Sequence, residues 1–191
     1  LIDNNIKIMM IPHEEEWVGM SEFNGNQLKE VDIEDLLPRD KIEVDMDAIG
    51  RLLRGKRILI TGAAGSIGSE MVRQVAKFHP AEMVLVDQAE TPMHDIRLWC
   101  SRFAASQMES ETASNMSMVT KFSTIVASIA NKTFMETIFA EHRPEYVFHA
   151  AAYKHVPMME NNPSESIQNN VWGTKVIADL SVKYGVRKFV M

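Results

Sequence analysis

A chain of 191 residues holds one domain of ordinary size with a short appendage, and 46% hydrophobic residues suffice for a sizeable core. Its 26 acidic side chains outnumber 20 Lys and Arg, and the net charge of −6 argues against nucleic acid as an electrostatic partner. A single cysteine, Cys100, excludes an intrachain disulfide, and no run approaches the roughly eighteen apolar residues of a membrane-spanning helix, so a soluble, cytoplasmic chain is expected.

Residues 1–50 carry acidic clusters (Glu14 to Glu16, Asp32 to Asp35, Glu43 to Asp47) without clean periodicity, which predicts an appendage ahead of a domain over 51–191. Leu1 to Met10 lacks the basic start and small-residue exit of a signal peptide. The β-branched run Arg57 to Thr61 predicts a strand, followed by a glycine turn and a helix with Ile67, Met71, Val75 and Phe78 at helical spacing. Met83 to Asp87 is a second strand. Thr91 and Pro92 read as the N-cap and first position of a helix to about Arg102, and polar Ser106 to Ser117 as a loop.

Lys121 to Val126 is a third strand, Asn131 caps a helix through about Glu141, and Tyr146 to Ala150 is a fourth strand. A loop with Pro157 and Pro163 leads to a long helix from Ser164 to Tyr184, stopped by Gly185, and Lys188 to Met191 begins a fifth strand. Strands alternating with crossover helices give an α/β fold: a Rossmann-type, doubly wound parallel sheet of order 3-2-1-4-5, incomplete at its C-terminal side. A fifth strand left as an unpaired edge favours either self-association into a homo-oligomer or disorder at the C-terminus.

Gly62, Gly65 and Gly68 form a G-x-x-G-x-x-G turn between strand and helix. Such a turn passes through φ values that glycine tolerates, brings backbone amides to a pyrophosphate, and faces it with a helix N-terminus. A turn serving packing alone is the competing reading, and the flanking strand and helix weigh against it. Asp87, at the end of the second strand, stands where a carboxylate accepts from an adenosine ribose. It would repel a 2′-phosphate, so NAD is favoured over the alternative, NADP. Arg97 and Arg102 lie too far into the next helix to reverse that. His149 and His155 lack a third ligand spaced for a metal, and Ser66 is not in a G-x-S-x-G elbow.

The glycine spacing, Asp87 and the run His149-Ala150-Ala151-Ala152-Tyr153-Lys154-His155-Val156-Pro157 together resemble extended short-chain dehydrogenase/reductases. The likeness is to the polysaccharide-biosynthesis branch, with its nucleoside-diphosphate-sugar 4,6-dehydratases of the UDP-N-acetylglucosamine type, and it spans Leu53 to Met191. Glu30 to Leu37 resembles the junction ahead of the catalytic domain in large, membrane-anchored members.

The resemblance implies a role in bacterial capsule or surface-polysaccharide synthesis. It implies oxidation of the sugar at C4, loss of water across C5 and C6, and return of the hydride to C6. Gly62, Ala64, Gly65, Ser66, Ile67 and Gly68 match the phosphate loop, Asp87 the ribose carboxylate, and Ala150, Ala151 and Ala152 the small residues over the cofactor. Lys154 matches a basic residue at the mouth of the sugar site, and Asn170 with Gly173 and Thr174 an Asn-x-x-Gly-Thr segment beneath it.

Two departures stand out. Ser128, within Ala127-Ser128-Ile129, replaces an aspartate near the adenine and hydrogen bonds more weakly. The family's Ser/Thr-Asp-Lys segment and Tyr/Met-x-x-x-Lys pair are expected after Met191, since Tyr153 is followed four residues on by Pro157, and Tyr184 by Lys188 at a strand start. These residues are therefore expected to be the cofactor-binding part of a larger enzyme, inactive alone, whose full-length form takes a nucleotide sugar and meets a membrane only through upstream segments, at the cytoplasmic face. The alternatives are a 4-epimerase of the same superfamily and a non-catalytic dinucleotide-binding module.

Overall fold

A computed structural model of the chain describes residues 9–10, 29–30, 45–110 and 119–191, the side chains at 9–10, 29–30 and 109–110 excepted. The chain divides into two compact units, Leu1–Val44 and Asp45–Met191. In the first, Met9–Met10 pairs antiparallel with Lys29–Glu30. The Glu30 to Leu37 junction lies, Glu30 apart, outside the described residues, as does 111–117 of the predicted loop.

The second unit begins at Asp45, ahead of the expected boundary after residue 50. Asp45 caps helix α1 (Met46–Leu53) by accepting from the Ala48 N–H at 2.8 Å. Leu53 is buried in the core and Ile49 packs against it, an apolar side hidden in the sequence behind the acidic cluster that ends at Asp47.

Five strands follow: β1 (Arg57–Thr61), β2 (Glu82–Asp87), β3 (Lys121–Val126), β4 (Tyr146–His149) and β5 (Lys188–Val190). All are parallel, in the order β3-β2-β1-β4-β5, the predicted arrangement. Two cores explain the double winding. Ile58 and Ile60 of β1 point to a cluster with Val72, Val75, Met93 and Ile96, whereas Leu59 points to the opposite cluster with Met135, Phe139, Ile177 and Leu180. The alternation of side chains along one strand thus feeds both faces.

The helices differ from expectation at their ends. Helix α2 (Ser66–Ala76) buries Val72, Val75 and Ala76, while Ile67 is 64% exposed and Phe78 lies beyond the helix. Helix α3 (Glu90–Ser110) begins before Thr91, because Met93 N–H already donates to the Ala89 carbonyl. Pro92 then sits in the first turn, where no intrahelical N–H is required. It also outruns Arg102. Trp99 stacks on Phe103 at 5.0 Å, both rings pack edge-on against Phe122 of β3, and the Gln107 side chain accepts from the Thr120 N–H at 3.2 Å. Those contacts lie far apart in sequence and turn the first part of the predicted loop into helix.

Helix α4 (Lys132–His142) is capped by Asn131 as expected, its side chain accepting from the Phe134 N–H at 3.1 Å. The proline-flanked loop contains a short helix, α5 (Val156–Glu160). The long helix starts as α6 (Pro163–Ser166), widens into a π-helical stretch over Ile167–Gly173 and continues as α7 (Thr174–Lys183), with Gly185 at φ 69° beyond its end. Among the described residues no helix is long and apolar enough to cross a membrane.

Candidate functional site

The C-terminal ends of β1, β2 and β4 converge on one crevice, built outward from the glycine turn. Gly62 has φ 70°, and a Cβ there would lie 2.6 Å from the carbonyl carbon and oxygen of Ala150 and from the Ala151 nitrogen. The turn after β1 therefore packs directly against the backbone leaving β4. A Cβ on Gly68 would lie 1.9 Å from the Gly62 oxygen, so the first turn of α2 rests on the loop itself. Gly65 is the N-cap of α2, and its N–H donates to the Gly62 carbonyl at 3.1 Å. A glycine N-cap has no side chain to offer, which leaves the first-turn N–H groups available to an anion.

Asp87 ties the turn to its neighbour. Its Oδ2 accepts from the Ala64 N–H at 3.0 Å and its Oδ1 from the Ala89 N–H at 2.9 Å. Each carboxylate oxygen retains a lone pair for a further donor. The groove between these elements measures ≈ 340 Å³ and is walled by Gly62, Ala64, Gly65, Asp87 and Ala150 to Ala152, all expected there. Among the described residues no Lys or Arg lines it. A cavity lined by Gly62 and Gly65 of the turn, with helix N–H groups and one carboxylate at its rim, fits the pyrophosphate and ribose of a dinucleotide.

Other expected site residues lie elsewhere. Ile67 faces solvent and Gly68 is buried beneath the turn. Ser128 does not line the groove: its Oγ accepts from the Ala130 N–H at 3.3 Å, and the flanking Ala127 and Ile129 form the wall instead. Lys154 and Asn170 line a second, adjoining cavity of ≈ 440 Å³. Within it, Asn170 grips the Tyr153 peptide at both ends, accepting from its N–H at 2.8 Å and donating to its carbonyl at 2.9 Å. The Lys154 ammonium donates to Ser66 Oγ at 3.0 Å, joining the second cavity to the start of α2.

Sequence reasoning passed over Gln88, Tyr153 and Asn169, which also line the groove. Gln88 follows Asp87 directly and Tyr153 sits inside the His149 to Pro157 run. Their placement just past strand ends was the available signal.

Beneath the crevice, His149 is buried between two threonines, with Nδ1 2.7 Å from Thr61 Oγ1 and Nε2 2.9 Å from Thr174 Oγ1. Burial holds its imidazole below its ordinary pKa, which keeps the ring neutral. The folded chain thus binds fewer protons here than the unfolded one. Stability from this site is complete above about pH 6.5 and is lost as pH falls from there through the lowered folded value. A melting temperature that declines as pH falls below about 6.5 is expected, with a shallower decline in His149→Gln. Equal slopes in differential scanning calorimetry would contradict it.

Residues 58–191 match the family described as polysaccharide biosynthesis protein. The capsular polysaccharide biosynthesis protein CapD of Staphylococcus aureus is 41% identical over 186 residues, 97% of this chain and 29% of that protein. The UDP-N-acetylglucosamine 4,6-dehydratase (inverting) of Campylobacter jejuni is 27% identical over 139 residues, 73% of this chain and 36% of that protein. Among solved structures, the UDP-glucose 4-epimerase of Thermotoga maritima with UDP-glucose shares 32% identity at a TM-score of 0.50, over 70% of this chain and 36% of that one. The chain spans well under half the length of each of these relatives.

Proposed function

This chain belongs to the polysaccharide biosynthesis protein family, within the extended short-chain dehydrogenase/reductases, and from that premise we propose that it is the dinucleotide-binding part of a nucleotide-sugar 4,6-dehydratase. The reading takes NAD as cofactor and a UDP-N-acetylglucosamine-type sugar as substrate, in capsule or surface-polysaccharide synthesis. It assigns the chain to the cytoplasm, with any membrane anchor upstream in the whole protein. The observation that carries it is Asp87, which locks the glycine turn to the start of α3 while standing at the rim of the groove.

Bound nicotinamide supplies reversible hydride storage, so that a sugar oxidised at one carbon is reduced at another with no net redox change. The chain's own residues hold and orient. The α2 N-terminus receives pyrophosphate, Asp87 accepts from ribose hydroxyls, and Ala150 to Ala152 leave room for the dinucleotide where larger side chains would block it. Lys154 presents a positive charge between the phosphate loop and the second cavity, where the diphosphate of a sugar nucleotide is expected. No Tyr-x-x-x-Lys pair on a helix is found among these 191 residues. The reading therefore assigns them binding, and assigns turnover to the whole protein.

Likeness to the UDP-glucose 4-epimerase structure supports a second outcome, inversion at C4 with the same cofactor site. Assay of the whole protein separates the two, since the dehydratase yields a 4-keto-6-deoxy sugar and the epimerase a C4 epimer. For the chain itself, calorimetric titration with NAD and NADP is the test. NAD is expected to bind at least about tenfold more tightly, because Asp87 repels a 2′-phosphate. Tighter NADP binding would refute the assignment.

A further inference from the structure

The segment leaving β4 is fastened at three points. The Gln88 amide donates to Tyr153 Oη at 2.7 Å, the Lys154 ammonium donates to Ser66 Oγ at 3.0 Å, and Asn170 grips the Tyr153 peptide from below. The first of these bonds has an unusual reach. Gln88 follows β2 and Tyr153 follows β4, and the two strands are not neighbours, because β1 lies between them. Two strand spacings are roughly 10 Å, so the bond passes over the end of β1, where the glycine turn begins. Gln88 and Tyr153 both line the dinucleotide groove, and Tyr153 also lines the second cavity.

We propose that Tyr153 is a cofactor-retention residue: its hydroxyl, held by Gln88, closes a clasp across the groove, and a bound dinucleotide leaves only when that bond opens. The inference rests on the dinucleotide reading above. A clasp suits redox-neutral chemistry, in which the hydride taken from a sugar returns to the same sugar and exchange of the dinucleotide between turnovers serves no purpose. Tyr153 lines both cavities, and the Lys154 contact beside it ties the same segment to the first turn of α2. The clasp thus has one fastening on the adenosine side and one on the pyrophosphate side.

The test is the dissociation rate of NADH from the chain, followed by nicotinamide fluorescence after rapid mixing with excess NAD. Tyr153→Phe keeps the ring and removes only the hydroxyl, and Gln88→Leu removes the same bond from its other end. Each is expected to speed dissociation about three- to tenfold, the usual worth of one hydrogen bond. The double variant should be no faster than the faster single one, because both remove one bond. Unchanged dissociation in both single variants overturns the clasp. So does faster association with unchanged dissociation, which would make the bond a plug that the dinucleotide displaces. A wild-type chain that fails to bind NADH overturns the dinucleotide reading and the clasp with it, an outcome distinct from normal binding with unaltered release.

Discussion

Gly68→Ala is expected to destabilise the chain by about 3 kcal/mol or more, lowering its melting temperature by roughly 10 °C and abolishing dinucleotide binding. The added carbon would lie 1.9 Å from the Gly62 oxygen and 2.6 Å from the Gly62 carbonyl carbon. Those are backbone atoms, so no rotamer change relieves the clash. Either α2 lifts from the loop or the loop moves, and the loop is held by the Gly62 contact with Ala150 and by the Ala64 bond to Asp87. Gly65→Ala is the internal control. Gly65 has φ −72°, which alanine adopts freely, and its Cβ would meet the Gly62 oxygen at 3.3 Å, a contact relieved by a small shift. It should cost under about 1 kcal/mol. Thermal denaturation followed by circular dichroism reads both, and equal losses would show that the spacing of the motif matters less than its glycine count.

Asp87→Asn is expected to weaken NAD binding about a hundredfold and to erase most of the preference for NAD over NADP, measured by the same calorimetric titrations. The substitution keeps the shape of the side chain but gives one of its two terminal atoms hydrogens. Both oxygens accept from backbone N–H groups, at Ala64 and at Ala89, so an amide must turn an N–H toward an N–H at one of them. The glycine turn or the start of α3 then loses its tie. The charge that repels a 2′-phosphate also disappears. The expected signature is accordingly a fall in NAD affinity much larger than any fall for NADP. A parallel fall in both would mean that Asp87 acts only by holding the loops.

The elements legible in the sequence were those set by local chemistry. Arg57 to Thr61 and Lys121 to Val126 were found because β-branched and apolar residues concentrate there, and Asn131 because an N-cap acts over three residues. What escaped depends on distant partners. Helix α3 runs past Arg102 because Gln107 reaches Thr120, and the π-helical stretch sets Asn170 against Tyr153, neither of which a local pattern reveals. The first helix was hidden because Glu43 to Asp47 outweighs Ile49 and Leu53 when charge is read before burial. In the groove, the glycine turn was legible since its spacing is fixed by contacts within the turn. Gln88 and Tyr153 were not, because their bond joins residues 65 positions apart.

The contact between Gly62 and the Ala150 peptide also orders events in time. Ser66 and Lys154 lie 88 residues apart, as do Thr61 and His149, and the same span of chain separates the glycine turn from the backbone that fills the space above it. As the polypeptide emerges from the ribosome, β1, α2 and β2 can assemble early, with the turn still open on one side. The groove gains its far wall only after β4 has inserted beside β1. Nascent chains that end before Ala150 would thus carry the complete glycine sequence without a finished pocket, and capture of the dinucleotide becomes a late step in maturation, coupled to docking of the fourth strand.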